Sequence, residues 1–207
     1  MTKSDLSRSM SRLRPFKDVQ PMGKEGFSAA SLSLRAQKKL ASRFVTRGSV
    51  RLVSPAAARL LDRFYEVLER HYTKKVAEKT TKNIVKIIVK LALVAKSGSL
   101  AEHEQGLLRS ATQQLHTLSL TIASFYRLTG SYEPLFMEKL VREVKKALEP
   151  VVGLHLSDKS EKRLAQIFET LEDPEFYHAL FSTRGALYDA LPGIVDELEA
   201  MVEQKEI

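Results

Sequence analysis

The stretch TTKNIVKIIVKLALVAKSGS, Thr80 to Ser99, carries a lysine at nearly every fourth position of an apolar run. On a helix, at about 100° per residue, the lysines of this region fall within an arc of about 80°; they are Lys75, Lys79, Lys82, Lys86 and Lys90. The opposite half is apolar, with Ile84, Ile87, Ile88, Leu91, Val94 and Ala95. The pattern predicts one amphipathic helix ending at Ser97-Gly98. Its lysine edge is either a solvated rim or a basic edge beside an apolar space that receives an anionic, partly apolar ligand.

The same helical period continues from Ser31 almost to the end of the chain, without an alternating strand pattern. Ser54-Pro55 and Asp173-Pro174 are typical helix starts, and Ser157 is a further candidate cap. The sequence therefore predicts an all-α bundle of about seven helices in one domain over residues 30–207. Residues 1–29, polar, basic and interrupted by proline and glycine, are predicted to be a flexible leader.

Two prolines are expected to disturb helices. Pro150 should kink or end a helix that begins near Glu133, because proline removes one backbone hydrogen bond. Pro192 should interrupt a last helix running from Gly185 to about Gln204.

The helix predicted from Glu102 to about Leu128 has no charged side chain between Arg109 and Arg127. An uncharged helix of this length is expected to be packed on nearly every side, so we place it at the centre of the bundle. Its Ser, Thr and Gln side chains then need partners or a wet cavity. His116 is interpreted as a core histidine.

Composition restricts the classes of function. The chain has 207 residues, a formal net charge of +8 and no cysteine, which favours anionic partners and excludes thiolate chemistry. No glycine-rich phosphate loop, nucleophile elbow or zinc motif is present, so we expect no catalytic residue, metal or cofactor. Nucleic acid is disfavoured because the aromatic residues follow core spacing and do not alternate with the lysines. No apolar run reaches the roughly 18 residues of a membrane span, and we expect a cytoplasmic protein.

Five stretches in order resemble the tumour necrosis factor alpha-induced protein 8-like (TIPE) family. They are SLSLRAQKKLASRF (residues 31–44), EKTTKNIVKIIVKLALVAKSGSL (78–100), LTIASF (120–125), HLSDKSEKRLAQIF (155–168) and DPEFYHALF (173–181). The chain departs from the family pattern in VSPAAARLLDRFY (53–65), SATQQLHT (110–117) and RLTGSYEP (127–134). It is identified as a divergent member, and the similarity extends from about Ser31 to the C-terminus.

The resemblance implies a cylinder of about six long antiparallel helices and a short N-terminal helix around a large apolar cavity. It implies a phosphoinositide or other anionic phospholipid as ligand, contact with a membrane surface, signalling proteins as possible partners, and roles in lipid second-messenger signalling, apoptosis and immune homeostasis. Candidate headgroup-binding residues are Lys38, Lys39, Arg43, Lys86, Lys90, Lys96 and Arg109. Candidate cavity-lining residues are Ile84, Ile87, Ile88, Leu91, Val94, Leu115, Leu118, Ile122, Phe125, Leu140, Val144, Leu164, Phe168, Leu187 and Leu198.

A second hypothesis remains open. Heptad-like spacing from Leu108 to Phe125 is also what an ordinary packed core produces. In that case the protein is a helical adaptor without a cavity, which acts through surface contacts with other proteins.

Overall fold

A computed structural model describes residues 27–41, 52–98 and 100–205, apart from the side chains of residues 39–41. Within these ranges the chain forms eight α-helices and a 3₁₀ turn, and no strand. They are α1 (Ala29–Ala41), α2 (Pro55–His71), α3 (Lys74–Lys96), α4 (Glu102–Arg127), α5 (Pro134–His155), α6 (Asp158–Leu171), α7 (Pro174–Phe181), the 3₁₀ turn (Tyr188–Ala190) and α8 (Leu191–Glu203). The predicted all-α, single-domain class is confirmed, and the opening stretch lies within α3.

The helix starts follow local capping chemistry. The Ser54 hydroxyl accepts a hydrogen bond from the Ala57 amide at 3.0 Å, and the Asp173 carboxylate accepts one from the Glu175 amide at 3.0 Å. Both predicted caps are therefore confirmed. Ser157 occupies the capping position of α6, but its side chain makes no capping hydrogen bond.

Two predictions about helix bounds near prolines are wrong: Pro150 does not end its helix, and the last helix begins at Leu191, not at Gly185. Helix α5 continues past Pro150 to His155. The bond that Pro150 removes would join two solvent-exposed residues, Pro150 and Lys146, while buried Val151 and Val152 hold the last turn against the core. Pro192 lies in the first turn of α8 and does not interrupt it, because a helix start has no partner for that amide.

Six helices form a closed ring. Each packs against the next in the order α2, α3, α6, α5, α4 and α8, and α8 returns to α2. At this closing contact the Arg59 guanidinium donates to both oxygens of the buried Glu197 carboxylate, at 2.8 and 3.0 Å. None of the helices in the described ranges is both long and apolar enough to span a bilayer.

Helix α1 lies outside the ring, across α2 and α3. It covers a separate apolar cluster that includes Ala29, Leu61, Val85, Val89 and Leu93. Its first residue is held because the Ala29 amide donates to the Asp62 carboxylate at 2.6 Å. The rest of the predicted N-terminal helix, from Ser42 to Val45, lies outside the described residues. So does the predicted leader as far as residue 26.

The prediction that the uncharged helix lies at the centre is wrong. Helix α4 is one wall of the ring, and its buried residues are Ala111, Ser119 and Ala123. Its surface between Arg109 and Arg127 is uncharged but largely exposed, and the threonines there satisfy their hydroxyls locally. For example, Thr112 donates to the Leu108 carbonyl and Thr117 to the Gln113 carbonyl, both at 3.0 Å.

Candidate functional site

Side-chain contacts define which helix termini share an end of the ring. Along the α3–α6 pair, the Thr80 and Thr170 hydroxyls lie 3.1 Å apart, and Lys90 Nζ donates to Ser160 Oγ at 2.5 Å. These helices are therefore antiparallel, and the last turn of α3 lies beside the first turn of α6. On the neighbouring pair, His155 Nε2 of α5 lies 3.4 Å from Glu104 Oε1 of α4. We call this the basic end of the ring and the opposite one the aromatic end.

The lysine edge of α3 has a different surrounding at each end. Lys75, Lys79 and Lys86 are exposed, and Lys82 pairs with Glu78 one turn earlier. Lys90 is half-buried, bonded to Ser160, which is itself fully buried at the start of α6. Most of the edge is thus a solvated rim, and the basic-end member contacts the neighbouring helix.

Other predicted headgroup residues also lie at the basic end. The Gln37 side chain accepts a hydrogen bond at 3.4 Å from the amide of Leu52, which lies just before α2 begins. The next residue of α1, the exposed Lys38, therefore lies near the start of α2, at the basic end. Lys96 ends α3 and Arg109 is in the second turn of α4, and both are exposed. Lys86 is about one turn before Lys90. The Lys39 side chain and Arg43 lie outside what the structure describes.

A groove of about 700 Å³ opens at the same end. Helices α3 and α4 are consecutive in the chain but are not neighbours in the ring, so their connection crosses the end. The groove is lined by Ala95, Leu100, Gln105, Leu108, Arg109, Thr112, Gln113 and His116. His116, interpreted from sequence as a core residue, is half-buried in this lining.

Apart from Arg109, the polar lining residues were not among the predicted site residues, although the sequence contained a signal for them. At about 100° per residue, Gln105, Thr112, Gln113 and His116 fall on one face of the predicted helix, which Arg109 shares. Such a stripe needs a wet surface, and the groove supplies one. Among the described residues no three His, Asp or Glu side chains come together as a metal site.

The predicted cavity-lining residues separate into groups by burial. A buried group belongs to the main core: Ile87, Leu140, Val144, Leu164, Phe168, Leu187 and Leu198. A second group packs against that core but stays partly exposed: Ile84, Leu91, Leu115, Leu118, Ile122 and Phe125. Four of these lie on α4, so the α4 wall is the more accessible one. Ile88 packs in the outer cluster beneath α1, and Val94 is half-buried near the end of α3.

The aromatic end is filled by α7. The Phe176 ring, 1% exposed, lies 6.2 Å from that of Phe64 and 6.0 Å from that of Tyr72, and the Phe181 ring stacks on Tyr132 at 4.8 Å. Tyr72 donates a hydrogen bond to Asp173 at 2.6 Å. Desolvation by burial, with that hydrogen bond, raises the pKa of Tyr72 well above its ordinary value. This end is therefore an aromatic plug, and the Tyr72 hydroxyl within it stays protonated at neutral pH.

A closed ring of antiparallel helices, plugged at one end and basic with an open groove at the other, defines a class of all-α cylindrical proteins. The chain belongs to the Tumor necrosis factor alpha-induced protein 8-like family, whose model matches residues 27–205. The resemblance inferred from sequence motifs is thereby confirmed.

Curated relatives agree over nearly the whole chain. Tumor necrosis factor alpha-induced protein 8 of Xenopus laevis is 30% identical over 190 residues, which cover 90% of this chain and 100% of the relative. Tumor necrosis factor alpha-induced protein 8-like protein 2 of Xenopus laevis is 30% identical over 186 residues, covering 88% and 100%. The Homo sapiens Tumor necrosis factor alpha-induced protein 8 is 28% identical over 184 residues, covering 87% and 92%.

Proposed function

We propose that this protein binds phosphoinositides or related anionic phospholipids, with the headgroup at the basic end and the acyl chains against the α4 wall. It touches a membrane surface at that end, performs no catalytic step and needs no metal or cofactor. Through this binding it regulates lipid second-messenger signalling in apoptosis and immune homeostasis.

The observation that carries the proposal is the convergence of cations on one open end. Lys38, Lys90, Lys96 and Arg109 come from three different helices to the end where the groove opens. A phosphoinositide headgroup carries several negative charges, and charge-assisted hydrogen bonds to lysine and arginine are its natural contacts. The opposite end is occupied by aromatic side chains, which leaves the basic end as the entrance.

The second support is the uneven burial of the interior. Leu115, Leu118 and Ile122 pack against the core and yet keep accessible surface, whereas Leu164 and Phe168 on α6 are 3% and 2% exposed. Apolar surface that stays accessible beside the core suits an acyl chain.

The test compares charge reversals at the two ends of the same region. Lys96→Glu with Arg109→Glu is expected to weaken binding to phosphatidylcholine vesicles containing a few mole per cent of phosphatidylinositol bisphosphate by about tenfold or more, since each lost contact of about 1.4 kcal/mol is worth tenfold. The control, Lys75→Glu with Lys79→Glu, makes the same change in net charge on exposed lysines of α3 at the aromatic end. Equal losses for both pairs would reduce the effect to net charge and contradict the proposal.

The adaptor hypothesis keeps one observation in its favour, because most of the predicted lining residues outside α4 are closely packed. Native mass spectrometry after gentle purification separates the two functions. Co-purifying lipid mass is expected for the proposed function, and a bare polypeptide mass that persists after incubation with phosphoinositide supports the adaptor.

A further inference from the structure

Among the described residues, the most exposed large apolar side chains at the aromatic end lie at the connection between α4 and α5. Leu128 is 63% exposed, Leu135 73% and Phe136 44%. We call these three residues the hairpin tip. A cluster of large apolar side chains projecting from one turn of a protein is a signal of an interaction surface.

The local sequence explains why these side chains are held outward. Pro134 begins α5, so Leu135 and Phe136 belong to its first turn, while Met137 is fully buried. Phe136 keeps one ordered contact, because its ring meets Phe125 edge-on at 6.4 Å. Because the Phe125 ring also meets Phe181 edge-on at 5.7 Å, Phe136 joins the tip to the aromatic plug.

The charged side chains around the hairpin tip do not give it a positive net charge. Arg127 forms two bonds with Glu199, at 2.8 and 2.6 Å. Lys139 lies 3.9 Å from Glu143, and Arg142 pairs with Glu138. With the exposed Glu133 added, this surface lacks the cationic excess that draws proteins to anionic membranes, which the basic end has instead.

We propose that the hairpin tip binds the same tip of a second copy of this chain about a two-fold axis. Within the tip, the adjacent Leu135 and Phe136 are flanked by opposite charges, Glu133 before them and Lys139 after them. In a two-fold contact centred on Leu135 and Phe136, Glu133 therefore faces Lys139 of the partner subunit, and the same pair recurs once by symmetry. Lys139 is available for this contact because its own exposed pair with Glu143 contributes little.

The size of the patch sets the strength of the dimer. Stable complexes bury about 800 Å² per partner, and three side chains with their surroundings provide less than that. We therefore expect a weak dimer that forms at tens of micromolar protein. Joined at the aromatic ends, the two copies leave both basic ends facing outward.

Sedimentation velocity of the full chain, without lipid, at about 1–300 µM tests the proposal. The sedimentation coefficient of the wild type should rise with concentration, and Leu135→Glu should remove the rise without changing the melting temperature, because that side chain is exposed. Leu154→Glu is the matched control: Leu154 is 59% exposed but lies at the basic end, so its variant should associate like the wild type. Glu133→Lys and Lys139→Glu should each weaken association about fivefold, and the double swap should restore it.

Several results overturn the proposal. A wild type that stays monomeric over the whole range does so, as does equal loss from Leu154→Glu. Failure of the double swap to restore association contradicts the two-fold contact. If Leu135→Glu instead reduces binding to neutral phosphatidylcholine vesicles and leaves association unchanged, the tip contacts a bilayer. These outcomes are independent of the phosphoinositide assay above.

Discussion

The two ends of the ring are built from the same six helices but are finished differently. At the aromatic end, the chain between α6 and α8 includes α7 and the 3₁₀ turn, and their side chains fill the opening. At the basic end, the α3–α4 connection is only residues 97–101, and a groove with exposed cations remains. From this comparison we expect the largest losses of stability for substitutions in the plug, and the largest losses of the proposed ligand binding for substitutions at the open end. Four predictions test this separation.

The largest expected effect is at the plug. Phe176→Ala removes a fully enclosed ring, and large-to-small changes of this kind cost about 3–5 kcal/mol of unfolding free energy. For a chain of this size that lowers Tm by roughly 6–20 °C, measurable by calorimetry. The matched control, Phe136→Ala, removes an exposed ring at the same end and should change Tm by only a few degrees. A Phe176→Ala variant that melts like the control would mean that the plug adds little stability.

A smaller loss is expected from the turn after α7. An added Cβ at Gly185 would lie 2.3 Å from the Ala179 carbonyl oxygen and 2.9 Å from that of Ser182. Because both neighbours are backbone atoms, Gly185→Ala forces the turn apart, and we expect a loss of about 1–3 kcal/mol in urea unfolding. Gly153→Ala, in open space within α5, should instead stabilise by about 0.5–1 kcal/mol. The same sign for both substitutions would contradict this account.

Leu118→Trp probes the wall that leads from the basic end. If ligand space adjoins α4, the indole occupies it: phosphoinositide binding falls, and Tm without lipid changes little. In a close-packed core the same change costs about 1–3 kcal/mol. Leu164→Trp on α6, a residue only 3% exposed, should show that overpacking loss in either case. Unchanged lipid binding together with a markedly lower Tm for Leu118→Trp supports the adaptor.

The smallest effects are two opposite pH dependences. Desolvation raises the pKa of Asp62, which anchors α1, above 3.8, although the bond from the Ala29 amide opposes it. Its contribution to stability is therefore full below the unfolded value and is lost as pH rises through the folded pKa. A hydrogen bond from Arg70 lowers the pKa of Asp189 below 3.8, so its contribution is present above the unfolded value and is lost as pH falls through the folded pKa.

Urea midpoints measured across acidic pH check this pair. As the pH rises to neutral, the wild type should lose some stability because of Asp62, and the Asp62→Asn variant should not show that loss. Over the same range the wild type should gain some stability because of Asp189, and the Asp189→Asn variant should not show that gain. Parallel pH profiles for the two variants would show that these carboxylates do not titrate as their surroundings indicate.

Local chemistry made most of the fold predictable. The Ser54 and Asp173 caps and the amphipathic period of α3 depend on neighbours within a few residues, and all were recovered. The errors concern tertiary context. Whether Pro150 ends a helix depends on the distant core that holds Val151 and Val152, and the absence of charge on α4 is as compatible with an open groove as with burial.

The site was predictable in part for the same reason. The resemblance indicated Lys38, Lys96 and Arg109, and the structure brings them to one end. The partial exposure of Leu118 and Ile122, and a groove lined by residues of both the α3 end and α4, depend on the order of the helices in the ring. The sequence adjacency of these helices gives no sign of that separation.

The ring order has a consequence for biosynthesis. The ring is closed by α8 against α2, through Arg59 and Glu197, which are 138 positions apart in the chain. A growing polypeptide that has not yet produced α8 is an open trough, with the apolar faces of α2 and α4 uncovered. Closure of the ring therefore depends on a contact between distant parts of the chain, and a variant without that contact should expose apolar surface that favours aggregation.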